Sequence, residues 1–287
     1  MSEAEDQAIA TLKYCAASDA SALNLYEVFE AFSILERPDL RSDRYTHVIE
    51  KLASKIQARH KQFILAGAKN DSGTRLAAMR DVLIRDEGVA ALGDDDGDLA
   101  FQLDIASALD RRGAHPAMLA VIFMIAADQC GWAVDMLSVP KTYILRMNGP
   151  DMPLIFNPAQ ECALLQAHDI RALIKENVGG SAELSAAYMQ PMSRFDVVMT
   201  VENLIKLHRI ATEDYDAALR TVAAMQALAP QEYRLLLDAG VLYARTRQTQ
   251  AAIFALDHYI SKTPDPRSRA EAQALLDDLR QIEAQGE

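Results

Sequence analysis

Asp214-Tyr215-Asp216-Ala217-Ala218-Leu219 and Gln248-Thr249-Gln250-Ala251-Ala252-Ile253 read as one pattern written twice. Ala218 and Ala252 are 34 residues apart, and the same offset relates Pro230 to Pro264, Val222 to Leu256 and Leu207 to Val241. A fixed period of that length with helical apolar spacing is the signature of stacked helical hairpins. Its small alanines allow close helix contact, and its prolines end each second helix. The pattern predicts two hairpins from about Thr200, followed by a closing helix over Arg267 to Ile282.

The period is that of tetratricopeptide repeats. Gly240 and Tyr243 match the usual glycine and aromatic of the first helix in the second unit, whereas Lys206 and Arg209 stand there in the first. Lys206, Arg209 and Tyr243 are therefore candidate binding residues of the repeat surface. Stacked units cover one another's apolar faces, and roughly three are usually needed. Two units call for caps, which the Arg267 to Ile282 helix supplies at one end and Phe195 to Leu207, joined to the preceding domain, at the other.

Outward from the repeats, 287 residues with half of them hydrophobic allow one or two domains and a substantial core. A formal net charge of -12 gives no electrostatic footprint for nucleic acid, whose phosphates demand clustered cations, and disfavours anionic membrane surfaces, while leaving room for local basic patches. The acidic start, MSEAEDQ, lacks the basic and apolar regions of a signal peptide. The longest apolar run, Pro116 to Ala127, falls short of the roughly 20 residues a membrane span needs. Cys15, Cys130 and Cys162 are odd in number and widely spaced, which fits a reduced, cytoplasmic setting.

Residues 1–192 are expected to form a helical domain with a small sheet around 132–157, and residues 193–287 the repeat region. Leu25, Val28, Phe29, Phe32 and Leu35 form one helical stripe, stopping before Pro38; Val48, Leu52 and Ile56 form a second, with Ser42 or Asp43 as its cap; Leu76, Met79 and Leu83 form a third. Gly93-Asp94-Asp95-Asp96-Gly97-Asp98 suggests calcium, but an EF-hand register would put Leu92 and Leu103 where carboxylates are required. No metal or other cofactor is expected. Pro116 to Cys130 is apolar all round, with proline in its first turn and Gly131 just past its end, and so is a core helix. Trp132 to Val139, Thr142 to Met147 and Leu154 to Phe156 are strand-like, and Asn148-Gly149 suits a tight hairpin turn, with Pro150 and Pro153 either weakening that hairpin or pushing it to a sheet edge.

Three segments in order, Leu109-Asp110-Arg111-Arg112-Gly113-Ala114-His115-Pro116-Ala117-Met118-Leu119, Ser138-Val139-Pro140-Lys141-Thr142-Tyr143-Ile144-Leu145-Arg146 and Ile155-Phe156-Asn157-Pro158, carry a resemblance to a known family. The chain resembles the SirB-type bacterial proteins, which join a transglutaminase-like domain to a tetratricopeptide pair. The resemblance implies a mainly α protein with a small antiparallel β-sheet, followed by an all-α repeat region. It also implies a Cys-His-Asp site, in which a thiolate attacks an acyl carbon, an imidazole moves the proton and a carboxylate orients the imidazole. The family's cysteine, at the start of the apolar helix, is replaced by Pro116 and its neighbours, its histidine by Thr142, and its aspartate by Asn157.

A rebuilt site would need another thiol. Cys130 lies 15 residues from His115 along one helix, about 22 Å, which excludes that pair. Cys162 follows the third segment closely enough to make a divergent cysteine hydrolase or acyltransferase the alternative reading. His168, Glu161 and Cys162 are metal-ligand types without a completing cluster. Arg111, Arg112 and Lys141 could ring the old cleft and attract an acidic peptide, or the two arginines could simply end a helix. The sequence thus points to a cytoplasmic, non-catalytic adaptor or regulator whose partner is another protein or peptide.

Overall fold

The computed structural model describes residues 2–17, 23–93 and 96–286. The expected acidic loop falls partly on Asp94 and Asp95, which lie outside the described residues. The elements are α1 (Glu3–Ala16), α2 (Leu25–Glu36), α3 (Ser42–Leu65) and α4 (Ser72–Arg80), then β1 (Ala90–Ala91), α5 (Leu99–Gln102), α6 (Ile105–Arg111) and β2 (Gly113–Ala114). After α7 (Pro116–Gln129) come β3 (Ala133–Met136), β4 (Leu145–Asn148), β5 (Leu154–Asn157), β6 (Ala163–Leu164) and α8 (Ala167–Val178). The chain ends in α9 (Arg194–Ala211), α10 (Tyr215–Leu228), α11 (Arg234–Arg245), α12 (Thr249–Lys262) and α13 (Pro266–Gly286). It is predominantly helical with a small antiparallel sheet, as the resemblance implied. Among the described residues no helix is long and apolar enough to cross a membrane.

Contacts group residues 20–201 into one unit, and 1–19 with 202–287 into another. This grouping places α1 with the repeat helices and the junction at 201 and 202, where the sequence suggested 192 and 193. Ala8, Leu12 and Cys15 of α1 are buried, and α1 packs along α10. Sequence distance hid this contact, which covers α10 as a further repeat would. The short array is closed by α13 after α12 and by α1 on α10.

In the first unit α7 is the core. Every residue from Ala117 to Ala127 is buried, with α2, α3, α4, α6 and β3 around it. Burial on all sides stabilises by about 1.5–3 kcal/mol for each large apolar side chain, which explains why no polar face survives on this helix. The apolar stripes before it form α2, α3 and α4, although α3 starts with Arg41 at its cap position and no side-chain cap bond, instead of a Ser42 or Asp43 cap. Leu83 falls in a π-helical stretch, Asp81–Asp86, that continues α4. Arg59 of α3 bonds both ends of that stretch, reaching Asp81 and Asp86 at 3.2 and 2.9 Å.

The sheet has the order β3-β4-β5-β6, antiparallel throughout, so it extends past 157 to Leu164. The β4–β5 hairpin is interior, not at an edge, and its loop is longer than the tight turn expected from Asn148-Gly149. Gly149 is required for a different reason: a Cβ there would collide with Ser72 Oγ at the start of α4. Asp151 in the same loop accepts hydrogen bonds from the Ser72 amide and hydroxyl at 2.8 and 2.7 Å, pinning the loop to α4. Pro150 and Pro153 sit in the loop and remove no ladder hydrogen bond.

Candidate functional site

The start of α7 is where a family nucleophile would stand, at the positive end of a helix dipole. Pro116 takes the first helical position, and His115 caps the helix by accepting the Ala117 amide on Nδ1 at 3.1 Å. That acceptor role places any neutral His115 proton on Nε2. The His115 ring meets Tyr143 edge-on, with centroids 5.4 Å apart, so α7 and the 140–143 segment do converge.

Thr142 is buried in this segment, ahead of β4 and not on a strand as expected. The segment turns there because Lys141 adopts a φ of 54° and the Thr142 amide donates to Val139 O at 3.2 Å. Thr142 Oγ1 donates to Pro140 O at 3.2 Å and accepts from Asn177 Nδ2 of α8 at 2.9 Å. Asn157 ends β5 and accepts the Ala159 amide at 3.0 Å, capping the turn at Pro158–Gln160. Each of the two polar replacements is thus held by bonds within the chain.

Cys162 lies just beyond that turn, buried, in a left-handed pair with Glu161 at φ 59° and 50°. Burial pushes its thiol up to about 12, with the nearby Arg80 opposing the shift. Cys130 is pushed up to about 11 by burial. A nucleophilic thiol needs the reverse shift, toward or below neutrality. Among the described residues no group of three or more metal-ligand side chains could hold an ion.

The cations expected to ring the cleft are engaged separately. Arg111 lies over the Phe101 ring at 5.3 Å, Arg112 approaches Glu87 at 4.0 Å, and Lys141 is exposed. A pocket of about 230 Å³ at the α2–α3 connection is lined by Arg37, Arg41 and Arg44 among others. Those arginines are neutralised by Asp104, Asp43 and Asp110, at 2.6, 3.1 and 2.5 Å.

In the repeat unit, Lys206 and Arg209 are not surface groups, as expected from sequence, but buried ones. Lys206 Nζ pairs with Asp238 of α11 at 2.5 Å, and Arg209 donates to Ala217 O and Thr221 Oγ1 of α10 at 3.1 and 2.5 Å. Lys206 joins the first hairpin to α11 and Arg209 joins that hairpin's own two helices, where glycine and an aromatic serve the second. Tyr243 is half-buried against the cluster of Ala252, Leu256 and Tyr259. Gly240 is demanded by contact, because a Cβ there would stand 2.7 Å from Leu256 Cγ. Sequence reasoning passed over Asn177, which closes on Thr142 from another element. It also passed over Arg234 and Arg245, although the Leu207–Val241 register pointed to their helix face.

A sequence profile described as the transglutaminase-like superfamily matches residues 43–203, more than half of the chain. The chain belongs to the transglutaminase-like superfamily. A tetratricopeptide repeat profile matches residues 205–277. Relatives support the same pairing with the SirB-type resemblance. A UPF0162 protein of Xylella fastidiosa (strain Temecula1) is 23% identical over 248 residues, covering 85% of each chain. The UPF0162 protein of Vibrio cholerae is 23% identical over 179 residues, covering 61% of this chain and 66% of its own. UPF0162 protein YchA of Escherichia coli (strain K12) is 22% identical over 182 residues, covering 63% of this chain and 67% of its own. No solved structure gives a significant match.

Proposed function

We propose that this chain is a non-catalytic adaptor or regulator of the cytoplasm that docks another protein through its repeat unit. One observation carries the reading: the family's three reacting positions are held by Pro116, Thr142 and Asn157, and the two polar replacements are bonded inside the chain. Without a nucleophile and an imidazole in place, the acyl-transfer sequence has no first step. The repeat unit, in contrast, presents paired helices of the kind that recognise protein segments. The alternative, a divergent cysteine hydrolase or acyltransferase using Cys162, is disfavoured by the burial and raised pKa of that thiol.

A photo-crosslinking side chain placed at Val241, and separately at Lys141, in the full chain tests the proposal in its native cell. A protein adduct from position 241, absent from position 141, is the expected result. A small acyl donor captured at Cys162, or adducts confined to position 141, would refute it.

A further inference from the structure

We infer that the exposed face shared by α9 and α11 docks an acidic peptide segment, with an apolar side chain on Leu207 and Val241 and flanking carboxylates on Arg234 and Arg245. This rests on the protein-docking reading above and gives its ligand a chemistry.

The two apolar residues occupy equivalent positions of successive repeats, 34 residues apart, and remain 55% and 38% exposed. The Lys206–Asp238 pair, one residue from Leu207 and three from Val241, draws the two helices together at that level. On α11, Val241 follows Arg234 by seven residues and precedes Arg245 by four. Those spacings are two turns and one, so the three side chains share a face.

Charge selects the occupant. Arg234 and Arg245 are exposed, and among the described residues no carboxylate forms an ion pair with either. Asp238, the acid on the same face, is taken up by Lys206. Arg234 opens α11 with its guanidinium over the Tyr233 ring at 6.0 Å, and its amide donates to the Glu232 carboxylate at 3.2 Å. Arg245 sits in the last turn, where the dipole accepts it. Two cations are too few to hold nucleic acid.

Spacing gives the ligand a length. Eleven residues of helix separate the arginines, roughly 16 Å along the axis. An extended peptide covers that distance in about five residues. The segment should carry two acidic residues about five positions apart, with an apolar residue between them and nearer the one that meets Arg245.

Panning a random dodecapeptide display library on the full chain tests this. Enriched sequences should show the spaced acidic pair around an apolar residue. Their affinity should fall roughly tenfold for the exposed-surface variant Arg234→Glu/Arg245→Glu, checked by circular dichroism for retained helix. Binding should also weaken in high salt. Enrichment of neutral or basic sequences, or of acidic ones that bind that variant equally, overturns the inference. If such peptides are still lost on Leu207→Asp/Val241→Asp, docking survives without its acidic ligand. If no peptide is enriched, the inference fails, and if position 241 also yields no protein adduct, the docking reading fails with it.

Discussion

The N-terminus of α7 and the α9–α11 face use polar groups in opposite ways. At α7 the hydroxyl of Thr142, the amide of Asn157 and Nδ1 of His115 are all bonded within the chain. On the α9–α11 face, Lys206 and Asp238 satisfy each other, while Arg234 and Arg245 stand exposed beside Leu207 and Val241, with no ion pair to either guanidinium among the described residues. A site built for chemistry keeps reactive groups available, and a binding face keeps complementary ones available. On the proposed reading, the first region serves as scaffold and the second as the docking face.

The largest expected effect comes from breaking the scaffold beneath the face. Arg209→Met removes a buried guanidinium that holds Ala217 and Thr221. The stability of the full chain in urea should fall by about 3 kcal/mol, with docking lost. Retained docking at that cost would show that α9 does not help to form the face. Gly240→Ala places a methyl against Leu256 and should destabilise by about 1–3 kcal/mol, with α11 displaced from α12. An unchanged melting temperature would mean that this close approach is not needed.

Perturbing α7's surroundings should sharpen the contrast. Thr142→Val strands the Asn177 amide and should cost about 1 kcal/mol while leaving docking unchanged. A loss of docking without unfolding would move the function back to the old site. The smallest effect is on pH dependence. Partly buried Cys130 and buried Cys162 keep their protons in the folded chain up to about 11 and 12, while unfolded thiols release theirs near 9.0. Between those limits the unfolded chain binds fewer protons, so stability declines as pH rises above about 9. Urea midpoints at pH 8 and pH 10 should differ more for the natural chain than for Cys130→Ala/Cys162→Ala.

Much of the architecture was legible because it depends on local side-chain pattern. The 34-residue offset survives as alanine and leucine packing in α10 and α12, and α7 announced itself by an uninterrupted apolar run between Pro116 and Gly131. What escaped depends on partners distant in sequence. Lys206 and Arg209 looked like surface cations, since such residues are rarely buried unless paired. Their partners are supplied by α10 and α11. The place of α1 on α10 and the Asn177 bond to Thr142 likewise have no local signal. The departures of Pro116, Thr142 and Asn157 from the pattern the resemblance implies were readable at single positions, but the bonds holding the Thr142 and Asn157 side chains required the fold.

The central claim is tested most directly by calorimetric binding of one panned acidic peptide to three versions of the full chain. The natural chain and Thr142→Val/Asn157→Ala should bind it equally, and Arg234→Glu/Arg245→Glu should bind it roughly tenfold more weakly. Loss of binding in the Thr142 and Asn157 variant, with binding retained by the arginine variant, would contradict the account.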